Sequence, residues 1–355
     1  MNEHIVQRAF CEPSSVKALK LSDWDLLIRQ ARRANVLTGL AAVLEEHGLL
    51  DAVPPQPREH LDWARIGAER HSQAVHWEVG HIVKALAGLD IPVMLLKGAA
   101  YVFAGLPAGR GRIFNDIDIL VPEASLGAVE AELMLHGWVS LHTDAYDQRY
   151  YRTWMHELPP MQHVKRQTVI DVHHAIVPKT APMHPDSALL LEAALPVGGK
   201  LTVLAPHDMV LHSAVHLFND GEFDNGLRDL VDLHRLLTHF GQSPEFWTGL
   251  VPRALRLQLE RPLFYALRYT SRMLDTQIPA DVMAAADAGR PEGRLLALMD
   301  SLFMRALAPD HVSCTDSFTA TAKELLYIRA NWLRMPPLLL ARHLFHKAFI
   351  SPREK

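Results

Sequence analysis

At 355 residues the chain exceeds the length at which a single hydrophobic core usually stops growing, so a catalytic unit with helical additions is the expected organisation. Its 36 Lys and Arg against 40 Asp and Glu give a formal charge of −4, which argues against a dedicated nucleic-acid binder. No apolar run approaches the roughly 18 residues of a membrane span, and two widely separated cysteines, Cys11 and Cys314, suggest neither a disulfide framework nor a cysteine zinc site.

Leu19, Leu21, Leu26, Leu27, Val36, Leu37, Leu40 and Val43 recur at helical intervals, so residues 15 to 50 are expected to be helical, with the proline-rich segment at 54 to 58 ending the run. A second helical pattern covers 60 to 88. Pro92 opens a short apolar run to Leu96 of strand character, followed by Lys97, Gly98 and Ala99 and a loop carrying Gly105, Gly109 and Gly111. The next strand runs from Asp116 to Val121, and residues 123 to 136 read as a helix stopped by Gly137. A strand is expected around 138 to 142, another at His163 to Lys165, and a third from Thr168 to His173, where β-branched residues alternate. Beyond about residue 205 the pattern is helical, with two helices broken around Asn219 to Glu222. The segment Leu338 to Phe349 is apolar with basic residues at intervals, as in a helix that could lie on a membrane surface or bind a partner, though such helices usually pack on their own protein.

The chemistry concentrates in the strand from Asp116. A period of two places Asp116 and Asp118 on one face and Ile117 and Ile119 on the other. Paired carboxylates in an otherwise apolar strand repel unless a cation neutralises them, and hard oxygen ligands suit Mg²⁺. Asp171, in the Thr168 to His173 strand, supplies a third carboxylate, as two-metal phosphoryl transfer requires, and could serve as shared ligand and general base. The plain alternative is aspartates at strand ends that reach water. The amides of Lys97, Gly98 and Ala99, at a strand-to-helix turn, could face phosphate oxygens, and Arg110 and Arg112 could reach a triphosphate from the loop. His212 and His216 share a helix face, and His216, Arg228 and Asp232 could line a substrate cleft.

With a Gly-containing turn after one strand and Asp-x-Asp on the next, the sequence resembles the DNA polymerase β-like nucleotidyltransferase superfamily. Leu95 to Gly98, Arg112, Asp116 to Val121, Ile170 to His173 and the stretches at His207 to His212 and Asp229 to His234 resemble more narrowly the bacterial uncharacterised nucleotidyltransferase family. The resemblance departs from the superfamily at Ala99, where a serine usually follows the glycine. It implies an α+β fold, with a small mixed sheet in a catalytic core at 91–205, an N-terminal helical region at 1–90 and a C-terminal helical domain at 206–355. It further implies an Mg²⁺-dependent enzyme, with Asp116, Asp118 and Asp171 as metal-binding and base groups and Lys97, Gly98, Ala99 and Arg112 as nucleotide contacts. The transferred group would be an NMP, AMP from ATP by preference, and the acceptor a hydroxyl on a small molecule, glycan or peptide. A cytoplasmic location is expected, since the first ten residues lack a secretory pattern. The competing expectation is a degenerate scaffold that binds a nucleotide or partner in a regulatory or toxin–antitoxin assembly.

Overall fold

The computed structural model describes residues 4–142 and 144–342. Four helices come first: α1 (Ile5–Cys11), α2 (Leu21–Arg33), α3 (Leu37–Glu46) and the long α4 (Pro55–Ala85). The proline-rich segment expected to end a helix instead begins α4, because proline in a first turn gives up only an amide with no helical partner. Next come β1 (Val93–Leu95), α5 (Lys97–Phe103), β2 (Asp116–Leu120), α6 (Leu126–Leu135), β3 (Trp138–Ser140) and α7 (Ala145–Trp154). The sheet is completed by β4 (Met161–His163), β5 (Val169–His173), β6 (Leu195–Gly198) and β7 (Leu201–Val203), with α8 (Ser187–Glu192) before β6. Helices α9 (Pro206–Asn219), α10 (Gly226–Phe240), α11 (Pro244–Arg256), α12 (Glu260–Leu274), α13 (Ala280–Ala286), α14 (Arg294–Ala306) and α15 (Thr319–Arg334) follow.

The seven strands form one mixed sheet in the order β3-β4-β5-β2-β1-β7-β6, flanked by helices, which makes the fold α+β. β2 lies between antiparallel β1 and parallel β5. Val93, Met94 and Leu95 are all buried in β1, as a central strand covered on both faces requires. In β2 and β5 the buried Ile117, Ile119, Ile170 and Val172 alternate with the polar residues, so the core side of these strands is apolar and the other side carries the acids.

The helical half is anchored by α9, which packs on α10 and α12 and touches α5 beside the sheet. At its centre the rings of Phe218, Tyr265, Tyr269 and Phe303 lie 5.0–6.0 Å apart, the spacing of edge and tilted aromatic packing. One continuous core runs from the N-terminal helices through the sheet into α12 and α14.

Several elements differ from the sequence reading. The strand expected at His163 to Lys165 ends at His163, because Gln167 takes a left-handed φ of 59° and closes the turn into β5. Residues 145–154, which show no clear period, form α7, capped by Asp144 accepting from the amides of Tyr146 and Asp147. The β6–β7 hairpin was not anticipated; β7 is held by its parallel pairing to β1, a partner more than a hundred residues away in sequence. Of the apolar segment at 338–349, residues 343–349 lie outside the described residues, and 338–342 are helical. No helix among the described residues is long and apolar enough to cross a membrane.

Candidate active site

The parallel register of β2 and β5 sets Asp118 directly beside Asp171, with Asp116 two residues earlier on the same face. Carboxylate oxygens of Asp116, Asp118 and Asp171 all lie within 4.8 Å of one another. Asp171 Oδ1 is buried and has no hydrogen-bond partner among the described residues. Burial, followed by repulsion from Asp118 and Glu157, pushes the Asp171 carboxyl up to about 7. Three converging acids with an orphaned buried oxygen form a donor set that a hard divalent cation would satisfy.

Asp118 is the electrostatic hub. Burial alone would raise its pKa, but Lys97 and then His173 reverse that and hold it well below the usual carboxylate range. Lys97 Nζ lies 3.1 Å and His173 Nε2 3.0 Å from the same oxygen, Asp118 Oδ1. Lys97 in turn is held above its ordinary value: burial opposes its charge, and Asp118, Asp220 and Asp116 outweigh it. Its backbone has a φ of 44°, a left-handed conformation that costs a non-glycine residue on the order of 1–2 kcal/mol.

A cavity of about 510 Å³ is lined by Asp116 and Asp118 together with Lys97, Gly98, Arg112, Arg228 and His216; Asp171, beside Asp118 in the sheet, does not itself line it. Its size falls within the range of small-ligand sites. At Gly98 an added Cβ would meet Phe114 Cδ1 at 2.5 Å, so only glycine lets the turn approach the loop that leads into β2. Ala99 does not line the cavity; it is 1% exposed, packed into the core, so a hydroxyl at this position would face protein in the form seen here. Arg112 reaches the cavity, but its guanidinium is engaged: Nε donates to Asp232, Asp229 lies 3.6 Å from Nη2, and Phe114 lies beneath it at 5.5 Å. Asp232 is therefore Arg112's partner behind the wall of the cleft and does not line it, whereas His216 and Arg228 do. Arg110 points elsewhere, toward Glu46.

His212 and His216 share a face of α9 but enter no metal-ligand cluster among the described residues. Both are kept below the ordinary imidazole value by burial and then by Lys97. His216 sits 3.6 Å from Asp220 and 3.9 Å from Asp229.

Three side chains beside the aspartates escaped the sequence reading as site residues: His173, His156 and Glu157. The signal for His173 was present, since alternation in β5 puts it on the face of Asp171. His156 and Glu157 come from an irregular segment that joins β5 through a single bridge between Glu157 and His173, which no local pattern announces.

A family described as uncharacterised nucleotidyltransferase matches residues 20–275, which span every element that lines the cavity. No curated protein matches the chain.

Proposed function

We propose that this chain, which belongs to the uncharacterised nucleotidyltransferase family, transfers an NMP group from an NTP, ATP by preference, to a hydroxyl on a small molecule, glycan or peptide. The observation that carries the reading is the convergence of Asp116, Asp118 and Asp171, with a buried oxygen of Asp171 left unpartnered. Mg²⁺ held by these acids would neutralise the triphosphate and make the acceptor hydroxyl more acidic.

The remaining work falls to the chain's own groups. Lys97 lies within reach of both Asp118 and the cavity, so cation binding at Asp118 frees its ammonium for phosphate oxygens. Gly98 lets the backbone of the turn come close to the same oxygens, and Arg228 supplies a second positive charge from α10. Asp171 accepts the acceptor's hydroxyl proton as the new oxygen–phosphorus bond forms at the α-phosphorus. The bond from that phosphorus to the bridging oxygen breaks in the same displacement, and pyrophosphate departs with the electron pair. Positioning and charge neutralisation dominate such a transfer, which is why these acids leave the acceptor open.

A second reading is favoured by one observation. Asp118 has Lys97 and His173 as partners within the chain itself, as in a scaffold that binds nucleotide without turning it over. Thermal-shift measurements with ATP separate the two. Stabilisation that requires Mg²⁺ supports the enzyme; equal stabilisation with a chelator present, with no pyrophosphate released in the presence of cell extract, supports the scaffold.

A further inference from the structure

On the side of the His173 ring away from Asp118 stands a second group of ligand-type atoms. His156, Glu157 and His173 each offer one, all within 4.8 Å of one another. His173 is 3% exposed, and its Nδ1 has no hydrogen-bond partner among the described residues, although Glu157 Oε2 is only 3.3 Å away. The carboxylate is near the nitrogen but outside hydrogen-bond geometry. His156 Nδ1 is likewise buried and without a partner among the described residues. Two orphaned imidazole nitrogens beside a carboxylate are costly unless something accepts their lone pairs.

We infer that His156, Glu157 and His173 form a second metal site, suited to one divalent transition ion of the Zn²⁺ type and separate from the aspartate centre. Two imidazoles and one carboxylate are ligands that transition ions take and that Mg²⁺ does not favour. The edge of a tetrahedron with bonds of about 2.1 Å is about 3.4 Å, and the His173 to Glu157 separation of 3.3 Å already has that length.

The other face of the His173 ring supports the assignment. Nε2 is 3.0 Å from Asp118 Oδ1, so with an ion bound the neutral ring would keep its proton on Nε2, donate it to the aspartate and offer the Nδ1 lone pair to the ion. A carboxylate holding a ligand histidine through its second nitrogen is the usual outer support of a metal site. The ion would lock the ring that orients Asp118, making His173 a positioning residue for the aspartate centre. The site does not rest on nucleotide transfer, and its test reads metal binding alone.

The full chain, stripped with a chelator, is titrated with Zn²⁺ against a chromophoric competitor. One equivalent is expected to bind. His156→Gln should weaken it by more than about 100-fold, and Asp118→Asn, which weakens the outer support and also leaves Lys97 without its partner, by about 10- to 100-fold. Asp116→Asn should leave it unchanged. Zn²⁺ binding that survives His156→Gln and disappears in Asp116→Asn would assign the ion to the aspartates and overturn the proposal, as would the absence of a tightly bound equivalent. Should His156→Gln not fold, Glu157→Gln gives the same comparison. Co²⁺ added to the unmutated chain needs no variant: intense visible bands of low-coordinate nitrogen and oxygen ligation support the site, and weak octahedral bands alone, as the aspartates would give, contradict it.

Discussion

Asp118 and Asp116 are chemically identical and two residues apart, yet their surroundings assign them different consequences. Asp118 is 4% exposed and balances Lys97 and His173, while Asp116, which lines the same cavity, is more exposed. Removing one partner of a buried pair costs about 3–5 kcal/mol, because the remaining charge is left uncompensated. Because Lys97 also faces the cavity and loss of a carboxylate relieves the repulsion of Asp171, Asp118→Asn is expected to lower the unfolding free energy of the metal-free chain by less than that, about 1–3 kcal/mol in urea titrations, whereas Asp116→Asn should change it by less than about 1 kcal/mol. Equal stability losses in the two variants would show that the Lys97 pair contributes little. Gly98 makes a second residue-scale prediction. Gly98→Ala drives a methyl against Phe114 and should cost about 1–3 kcal/mol through overpacking, with weaker ATP binding in calorimetry because the turn is pushed out of place.

The three aspartates were legible in the sequence for a physical reason. Strand alternation fixes which face a residue takes, and acids on the polar face of an apolar strand stand out. The partners of Asp118 were less legible. Lys97 was visible as a charge after β1, but its left-handed backbone and its engagement with Asp118 depend on the antiparallel pairing of β1 with β2. Arg112 was visible as a cation near the acids, and nothing in its spacing revealed that Asp232 and Asp229, more than a hundred residues later, hold it.

At the level of elements, α9 and α10 carry histidines whose protonation is opposed by the fold. His234 on α10 donates to or accepts from Thr276 Oγ1 at 2.8 Å, and burial followed by Arg235 lowers it from 6.5 to about 4. Between those two values the unfolded chain takes up a proton that the folded chain refuses. Stability from this group is thus fully present above pH 6.5 and is lost as pH falls toward 4. The shift corresponds to on the order of 3 kcal/mol, and His212, His216 and His156, also lowered by burial, act in the same direction. His234→Gln should flatten the dependence of the urea midpoint on pH across that window. An unchanged slope would place the acid sensitivity elsewhere.

A long periodic helix such as α10 could be read directly, because its apolar stripe repeats every turn. The β6–β7 hairpin could not. β6 is largely exposed, and β7 has three residues whose place is set by β1, so tertiary pairing decided where local pattern was weak. The segment at 143–167 failed for a related reason: its helix, α7, has few buried residues and presents tyrosines and charges instead of an apolar stripe.

Over the whole molecule, the cleft is assembled from parts far apart in the chain. Arg32 and Thr38 come from α2 and α3 and Asn35 from the turn between them, Lys97 and Gly98 from the start of α5, Asp116 and Asp118 from β2, and His216 and Arg228 from α9 and α10. Asn35 and Asn225 hydrogen-bond across it at 2.8 Å, and Arg235 of α10 pairs with Glu46 of α3 at 2.6 Å. The N-terminal and C-terminal helices therefore close on each other over the sheet, which gives the helical additions a part in shaping the site. Their sequences showed helices but not this closure, since contacts of that separation leave no periodic trace.

Service of the three acids in nucleotide transfer can be tested directly. Purified chain is incubated with ATP labelled at the α-phosphate, Mg²⁺ and fractionated cell extract, and the label is followed into acceptor material while pyrophosphate is measured. Mg²⁺-dependent labelling with matching pyrophosphate release is expected, reduced by at least about 10- to 100-fold in Asp116→Asn, a variant expected to keep its fold. Labelling that proceeds at the same rate in Asp116→Asn, or with the cation chelated, would contradict that role of the acids.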